Sequence, residues 1–93
     1  MEKSFKPSQC MTFDTVQADC KRLHEFCHSN KDDVLNFHLS EVSHCDSAGL
    51  ALLIEARRLC GLQNKTCKLI GMPKIIQALS KFCGVDEMLG LLD

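Results

Sequence analysis

Apolar residues recur along this chain with two different periods, and these periods predict alternating strands and helices. From residue 34 to 39 every second residue is large and apolar, which is the pattern of a strand with one buried face. Between residues 15 and 28 the apolar residues follow helical spacing, and Asp14 or Thr15 can cap that helix. The one-sided strand further predicts helices packed mainly on one face of a sheet.

The second half of the chain repeats this alternation. Residues 47–60 are apolar all round at first and amphipathic later, which predicts a helix whose first turns are buried. Residues 66–70 resemble another strand, and Pro73 opens a helix that Gly84 closes. Weaker signals predict two short N-terminal strands, one around Phe5 and one at residues 10–13. They also predict a last short helix that Asp86 can cap. The alternation predicts an α/β fold with at least some parallel strands.

Charge balance and composition exclude several classes of partner. Eleven Lys and Arg against twelve Asp and Glu give a formal net charge of −1, so no broad basic surface for nucleic acid is expected. The chain has no Trp or Tyr and five Phe, which leaves few rings for base stacking. No run approaches the ~20 apolar residues of a membrane-spanning helix, and no secretory signal is evident. We therefore expect a cytoplasmic protein whose seven cysteines are reduced packing residues.

The junction between the strand at residues 34–39 and the next helix carries the clearest candidate chemistry. Asp46 and Ser47 stand where the helix begins, and either side-chain oxygen can accept hydrogen bonds from its first free amides. The partial positive charge of a helix N-terminus also suits a phosphate on Ser47. Gly49, just inside the helix, permits close approach by a neighbouring strand or by a partner. The residues alone leave open whether this turn is a plain cap or a docking site.

Two other patterns bear on reactive chemistry. Residues 24–28, HEFCH, satisfy the HExxH spacing, in which His24 and His28 would share a zinc ion and Glu25 would act as general base. No third ligand has an evident place, so a solvated helix edge is the favoured interpretation over a zinc hydrolase. Cys45 lies near a helix N-terminus, where a thiol pKa can fall, although packing at the end of the sheet is favoured. We predict no catalytic residue, metal or cofactor.

The block VLNFHLSEVSHCDSAGL, residues 34–50, resembles the strand and Asp-Ser/Thr-x-Gly-Leu motif of the STAS domain family. That family includes anti-sigma factor antagonists and sulfate transporter tails. Downstream, TCKLIGMPKIIQALSKFCGVDEML, residues 66–89, is similar to the family's closing strand and helix. The usual Gly ahead of the first long helix is absent. The resemblance implies one STAS domain over residues 1–93, with a mixed four-stranded sheet and helices packed mainly on one face.

Within the family, residues 49–53 are similar to the small cytoplasmic subunits of phospholipid-transport ABC transporters. This implies a non-enzymatic module that binds the transporter's ATPase subunit and meets the membrane only through that complex. The alternative is an anti-sigma factor antagonist, which binds an anti-sigma serine kinase and is switched by phosphorylation of Ser47. Such antagonists more often have Ser or Thr at the position of Ala48 and Gly at that of Ala51.

The resemblance places partner contacts on the turn and on the helix that follows it. The implied partner-binding residues are Asp46, Ser47, Ala48, Gly49, Leu50, Arg57 and Arg58. Arg57 and Arg58 can pair with acidic groups on a partner, or lie on a solvated helix face.

Overall fold

The two periods of the sequence correspond to strands and helices in the computed structural model, which describes residues 4–90. In chain order the described elements are β1 (Ser4–Phe5), β2 (Cys10–Met11), α1 (Val16–Ser29), β3 (Val34–His38), β4 (His44–Cys45), α2 (Ser47–Leu62), β5 (Thr66–Ile70) and α3 (Lys74–Cys83). The α/β prediction is confirmed.

The strands form two small sheets. One has three strands in the order β1-β3-β5, and the other pairs β2 with β4. Every described pairing is parallel, because at least one helix intervenes between each strand and its partner. The predicted mixed four-stranded sheet is therefore corrected to a three-stranded and a two-stranded parallel sheet. A turn closed by the Val42 amide on the Leu39 carbonyl, at 3.0 Å, separates β4 from β3.

Helix α1 packs against the apolar face of the first sheet. Leu35 and Phe37 of β3 are buried while Val34 is exposed, as the alternation predicts. The rings of Phe5, Phe26 and Phe37 pack together with centroids 5.7 to 6.0 Å apart, which joins β1, β3 and α1. The face of β3 that carries Leu35 and Phe37 is therefore the face that the core covers.

Several local predictions differ from the structure at the ends of elements. Thr15 precedes α1, but its side chain forms no cap hydrogen bond and instead binds backbone groups of Cys10 and Thr12. Residues 86–90 form turns rather than a last short helix, and Leu89 is buried. The rest of that predicted helix, residues 91 and 92, lies outside the described residues.

A buried carboxylate attaches the loop between β1 and β2 to α1. Asp19 accepts hydrogen bonds from the Ser8 amide at 2.9 Å, the Ser8 hydroxyl at 2.8 Å and the Arg22 guanidinium at 2.9 Å. Because β2 follows this loop, the cluster positions the strand on which α2 rests. Between residues 4 and 90, no helix combines the length and the apolar character needed to cross a membrane.

Candidate functional site: the N-terminal end of α2

Asp46 fixes the turn that carries the candidate site. Its backbone is extended, with φ −118° and ψ −172°, and its Oδ1 accepts a hydrogen bond from the Gly49 amide at 3.1 Å. Asp46, rather than Ser47, is thus the residue that caps α2. Its Oδ2 accepts a second bond, 3.0 Å long, from the backbone N–H of Phe13. These amide bonds, above all the one from Phe13, hold the pKa of Asp46 below its ordinary value, so the carboxylate is ionised at neutral pH.

Gly49 brings α2 close to the two-stranded sheet. A Cβ at this position would lie 2.1 Å from the carbonyl oxygen of Met11 and 2.8 Å from the sulfur of Cys45. Of the two roles predicted for Gly49, the structure shows the close approach of a neighbouring strand. Leu50, the next residue, is also buried, so both residues support the turn from the core side.

The exposed side of α2 begins with small, uncharged residues. Ser47 and Ala51 are exposed one helical turn apart, and Ala48 is half-buried beside them. Arg58 is exposed on the same side, about 16 Å further along the helix axis. We call the surface formed by Ser47, Ala48, Ala51 and Arg58 the α2 face. From Ser47 to Ala51 it carries neither charge nor a large side chain, so the backbone of a partner can approach closely there.

The two predicted arginines point in different directions. Arg58 donates two hydrogen bonds of 2.7 Å to the carboxylate of Glu55, and this contact lowers the pKa of Glu55. Arg57 lies roughly 80° away from Ser47 around the helix. Its guanidinium sits against Gly90, where an added Cβ would be 3.1 Å away. Arg58 therefore belongs to the α2 face, whereas Arg57 contacts the C-terminal turn.

Two residues of this region were absent from the predicted site. Ala51 has the helical spacing that places it beside Ser47, so the sequence held a signal for it. Phe13 is 80% exposed, and its backbone is bound to Asp46. No local sequence pattern predicts that Phe13 lies beside Asp46, because 33 residues separate the two.

Cys45 does not have the lowered pKa that its position near a helix N-terminus could produce. Its thiol is half-buried and donates to the Asp46 carbonyl at 3.4 Å. Burial raises its pKa to about 11, and the Asp46 carboxylate adds to the shift. The thiol is thus a packing group, as the alternative interpretation held.

The HExxH pattern forms a helix edge that is bound to α2. His24 Nε2 lies 3.0 Å from Glu55 Oε2, and His28 Nδ1 lies 2.9 Å from the His24 carbonyl oxygen. Glu25 is exposed. Across residues 4–90, no three His, Cys, Asp or Glu side chains are grouped so as to hold a metal ion. The arrangement therefore links α1 to α2 through the Glu55 carboxylate.

A small apolar cleft lies beneath the helices. Its lining includes Phe5, Leu23 and Leu52, and its cavity volume is about 10 Å³. Ligand sites usually have volumes of about 300–1,000 Å³ and contain a few polar groups that orient the ligand. This cleft is smaller and its lining is entirely apolar. The candidate site is therefore the outer surface around Asp46 and not this cleft.

Comparison with known proteins adds two similarities. The family model described as STAS domain matches residues 5–92. Over 54 residues the chain is 35% identical to the "Intermembrane phospholipid transport system binding protein MlaB" of Haemophilus influenzae (strain ATCC 51907 / DSM 11121 / KW20 / Rd). That alignment covers 58% of this chain and 51% of the relative, so the chain spans about half the length of the curated protein it matches.

Proposed function

We propose that this chain, which belongs to the STAS domain family, is an MlaB-like cytoplasmic subunit of a phospholipid-transport ABC complex. It binds the complex's ATPase subunit, of the MlaF type, through the α2 face and the turn at Asp46. The membrane is reached only through that complex, and lipid and ATP are handled by other subunits. The likeness to MlaB of Haemophilus influenzae supports the choice of complex.

The exposed start of α2 is the observation that carries this proposal. Ser47 and Ala51 lie on the surface, and the Asp46 cap holds the helix end in place beneath a partner. Both carboxylate oxygens of Asp46 accept backbone N–H groups, so this acid serves the turn and not proton transfer. The site is therefore suited to docking without turnover.

Binding of the purified MlaF-type ATPase subunit to an Ala51→Glu variant tests this surface. A charged, longer side chain on the small-residue part of the α2 face would hold the two proteins apart and would have to be desolvated. We expect affinity to fall at least about tenfold by isothermal titration calorimetry. Ala78→Glu is the matched control, since Ala78 is also exposed on a helix but lies on α3. Unchanged affinity of the Ala51→Glu variant would exclude the α2 face as the docking surface.

The exposure of Ser47 favours one second candidate, an anti-sigma factor antagonist. Ser47 is the first residue of α2, is exposed, and its hydroxyl forms no hydrogen bond with any residue from 4 to 90. A kinase can therefore reach it. Binding to a purified anti-sigma serine kinase, with phosphate found on Ser47 by mass spectrometry, would replace the transporter proposal with this one.

A further inference from the structure

We infer that Phe13 is the apolar anchor of the partner interface, and that it inserts into a pocket on the partner rimmed by Lys or Arg. This inference rests on the proposed docking function and deepens it by naming the chemistry that the partner's surface must have. The ring of Phe13 is exposed, whereas its backbone N–H is hydrogen-bonded to Asp46.

Hydrogen bonds fix the loop that presents this ring. The Phe13 amide donates to Asp46 Oδ2 at 3.0 Å, and the amides of Thr15 and Val16 both donate to the Thr12 carbonyl, at 3.0 and 2.9 Å. The Thr12 amide in turn donates to the Thr15 hydroxyl at 3.1 Å. Despite this fixed backbone, the side chain of Phe13 is 80% exposed. A loop whose backbone is fixed before binding loses little backbone entropy when a partner buries its side chain.

The position of Phe13 joins it to the α2 face. The carboxylate that binds the Phe13 amide is also the cap of α2, so Phe13 and Ser47 are both joined directly to one residue, Asp46. A partner seated on Ser47 and Ala51 thus meets Phe13 at the edge of the same contact. Buried aromatic rings commonly contribute a large share of binding energy at protein interfaces.

The charge around Phe13 selects the chemistry of the pocket. Asp14, the next residue, is exposed and takes part in no ion pair within residues 4–90. Asp46, whose carboxylate binds the Phe13 amide, is ionised because amide hydrogen bonds lower its pKa. A partner with acidic groups at the same place would be repelled, whereas Lys or Arg at the rim of the pocket would be attracted.

The test is the affinity of the purified MlaF-type ATPase subunit for a Phe13→Ala variant. Phe82→Ala is the matched control, because Phe82 is 89% exposed near the end of α3 and none of the hydrogen bonds that Asp46 makes reaches that helix. We expect Phe13→Ala to weaken binding about 30-fold, as removal of an aromatic anchor buried in a partner's pocket does, and Phe82→Ala to change it less than twofold. Circular dichroism and thermal melts will confirm that both variants are folded.

The outcomes separate this inference from the function on which it rests. If Phe13→Ala binds normally while Ala51→Glu does not, the anchor is overturned and the docking surface stands. If wild-type protein does not bind the ATPase subunit, the proposed function itself fails. Equal losses in Phe13→Ala and Phe82→Ala would indicate a general hydrophobic contribution and would also overturn the anchor.

A charge reversal tests the basic rim separately. Asp14→Lys should slow association at least about threefold in 50 mM salt, with a smaller effect at high salt, because ions screen exposed charges. Glu25→Lys, an equal charge change on an exposed residue near the opposite end of α1, is the control. Faster association of the Asp14→Lys variant would show that the partner is acidic at this place.

Discussion

Asp46 binds two backbone amides that are far apart in the chain, and this double contact couples three features of the site. It caps α2 through Gly49, and it holds the loop that presents Phe13. Ser47 follows it directly, so the exposed hydroxyl is placed on a helix end that cannot fray freely. The conformation of the proposed docking surface therefore depends on Asp46.

Gly49 is the position where the packing beneath this site can be tested most directly. In a Gly49→Ala variant the added methyl group would meet the Met11 carbonyl at 2.1 Å, so strand or helix must move. We expect a loss of about 2–3 kcal/mol in the free energy of unfolding, measured by urea denaturation. Gly61→Ala is the control on the same helix, since its Cβ meets nothing within 4 Å and the change should stabilise by about 0.5–1 kcal/mol. Equal stability of the Gly49→Ala variant and the wild type would contradict the close packing.

At the level of single residues, the sequence predicted the features that depend on neighbouring residues in the chain. The cap preferences of Asp and Ser predicted that Asp46 or Ser47 caps α2, and the structure shows that Asp46 does. The neighbourhood of Phe13 was not predictable, because it depends on a hydrogen bond between residues far apart in sequence. Leu50 was predicted both as a partner contact and as part of the buried first turns of the helix, and the structure shows that it is buried.

Among the elements, the long ones were predicted from clear patterns and the short strands β1 and β2 from weak signals, whereas β4 was not predicted. Helix α2 and strands β3 and β5 each show several periods of a pattern, so their apolar faces are evident. A strand such as β4, His44–Cys45, is too short to show a period and exists because β2 pairs with it. The split into two sheets follows from that pairing, which is why the predicted four-stranded sheet was wrong.

The attachment of β2 to α1 gives a prediction for acid stability. Burial raises the pKa of Asp19, but the hydrogen bonds from Ser8 and Arg22 outweigh it and hold that pKa below its ordinary value of 3.8. Since the unfolded chain then binds a proton more readily, the stabilisation is complete above about pH 4 and is lost as the pH falls through the folded pKa. Asp19→Asn should lower the free energy of unfolding at pH 7 by about 1–3 kcal/mol.

The measurement is a series of urea denaturations between pH 7 and pH 2.5. The wild type should lose more stability over this range than Asp19→Asn, because the variant has no carboxylate to protonate at that site. Asp14→Asn is the matched control, since Asp14 is exposed and makes no ion pair within the described residues. Identical pH slopes for the wild type and Asp19→Asn would show that this carboxylate does not stabilise the fold.

For the whole molecule, family membership could be predicted from two blocks of sequence. Residues 34–50 and 66–89 contain the strand, turn and helix patterns that resemble the STAS domain, and the match over residues 5–92 confirms that prediction. These blocks are local, so each retains its pattern whatever the rest of the chain does. The N-terminal strands gave weak signals because parallel pairing with residues more than 30 positions away defines them.

The distribution of thiols over the fold gives a prediction for the intact protein. All seven cysteines are free, Cys10 and Cys83 are exposed, and Cys27 and Cys60 are buried. Burial also raises the pKa of Cys27 to about 11 and that of Cys67 to about 12, which disfavours the reactive thiolate.

We therefore expect a dithionitrobenzoate titration of the unreduced native protein to show a fast phase of two thiols, followed by slow reaction of the others. In urea all seven should react at once, because unfolding removes the burial that protects them. Changing the exposed pair to serine should abolish the fast phase and leave the melting temperature within about 2 °C, since surface substitutions away from packing cost little. The buried pair should react only slowly in that double variant until urea is added. A titre below seven in urea would reveal a disulfide that this fold does not contain, and rapid labelling of the buried pair would show that α1 and α2 separate readily.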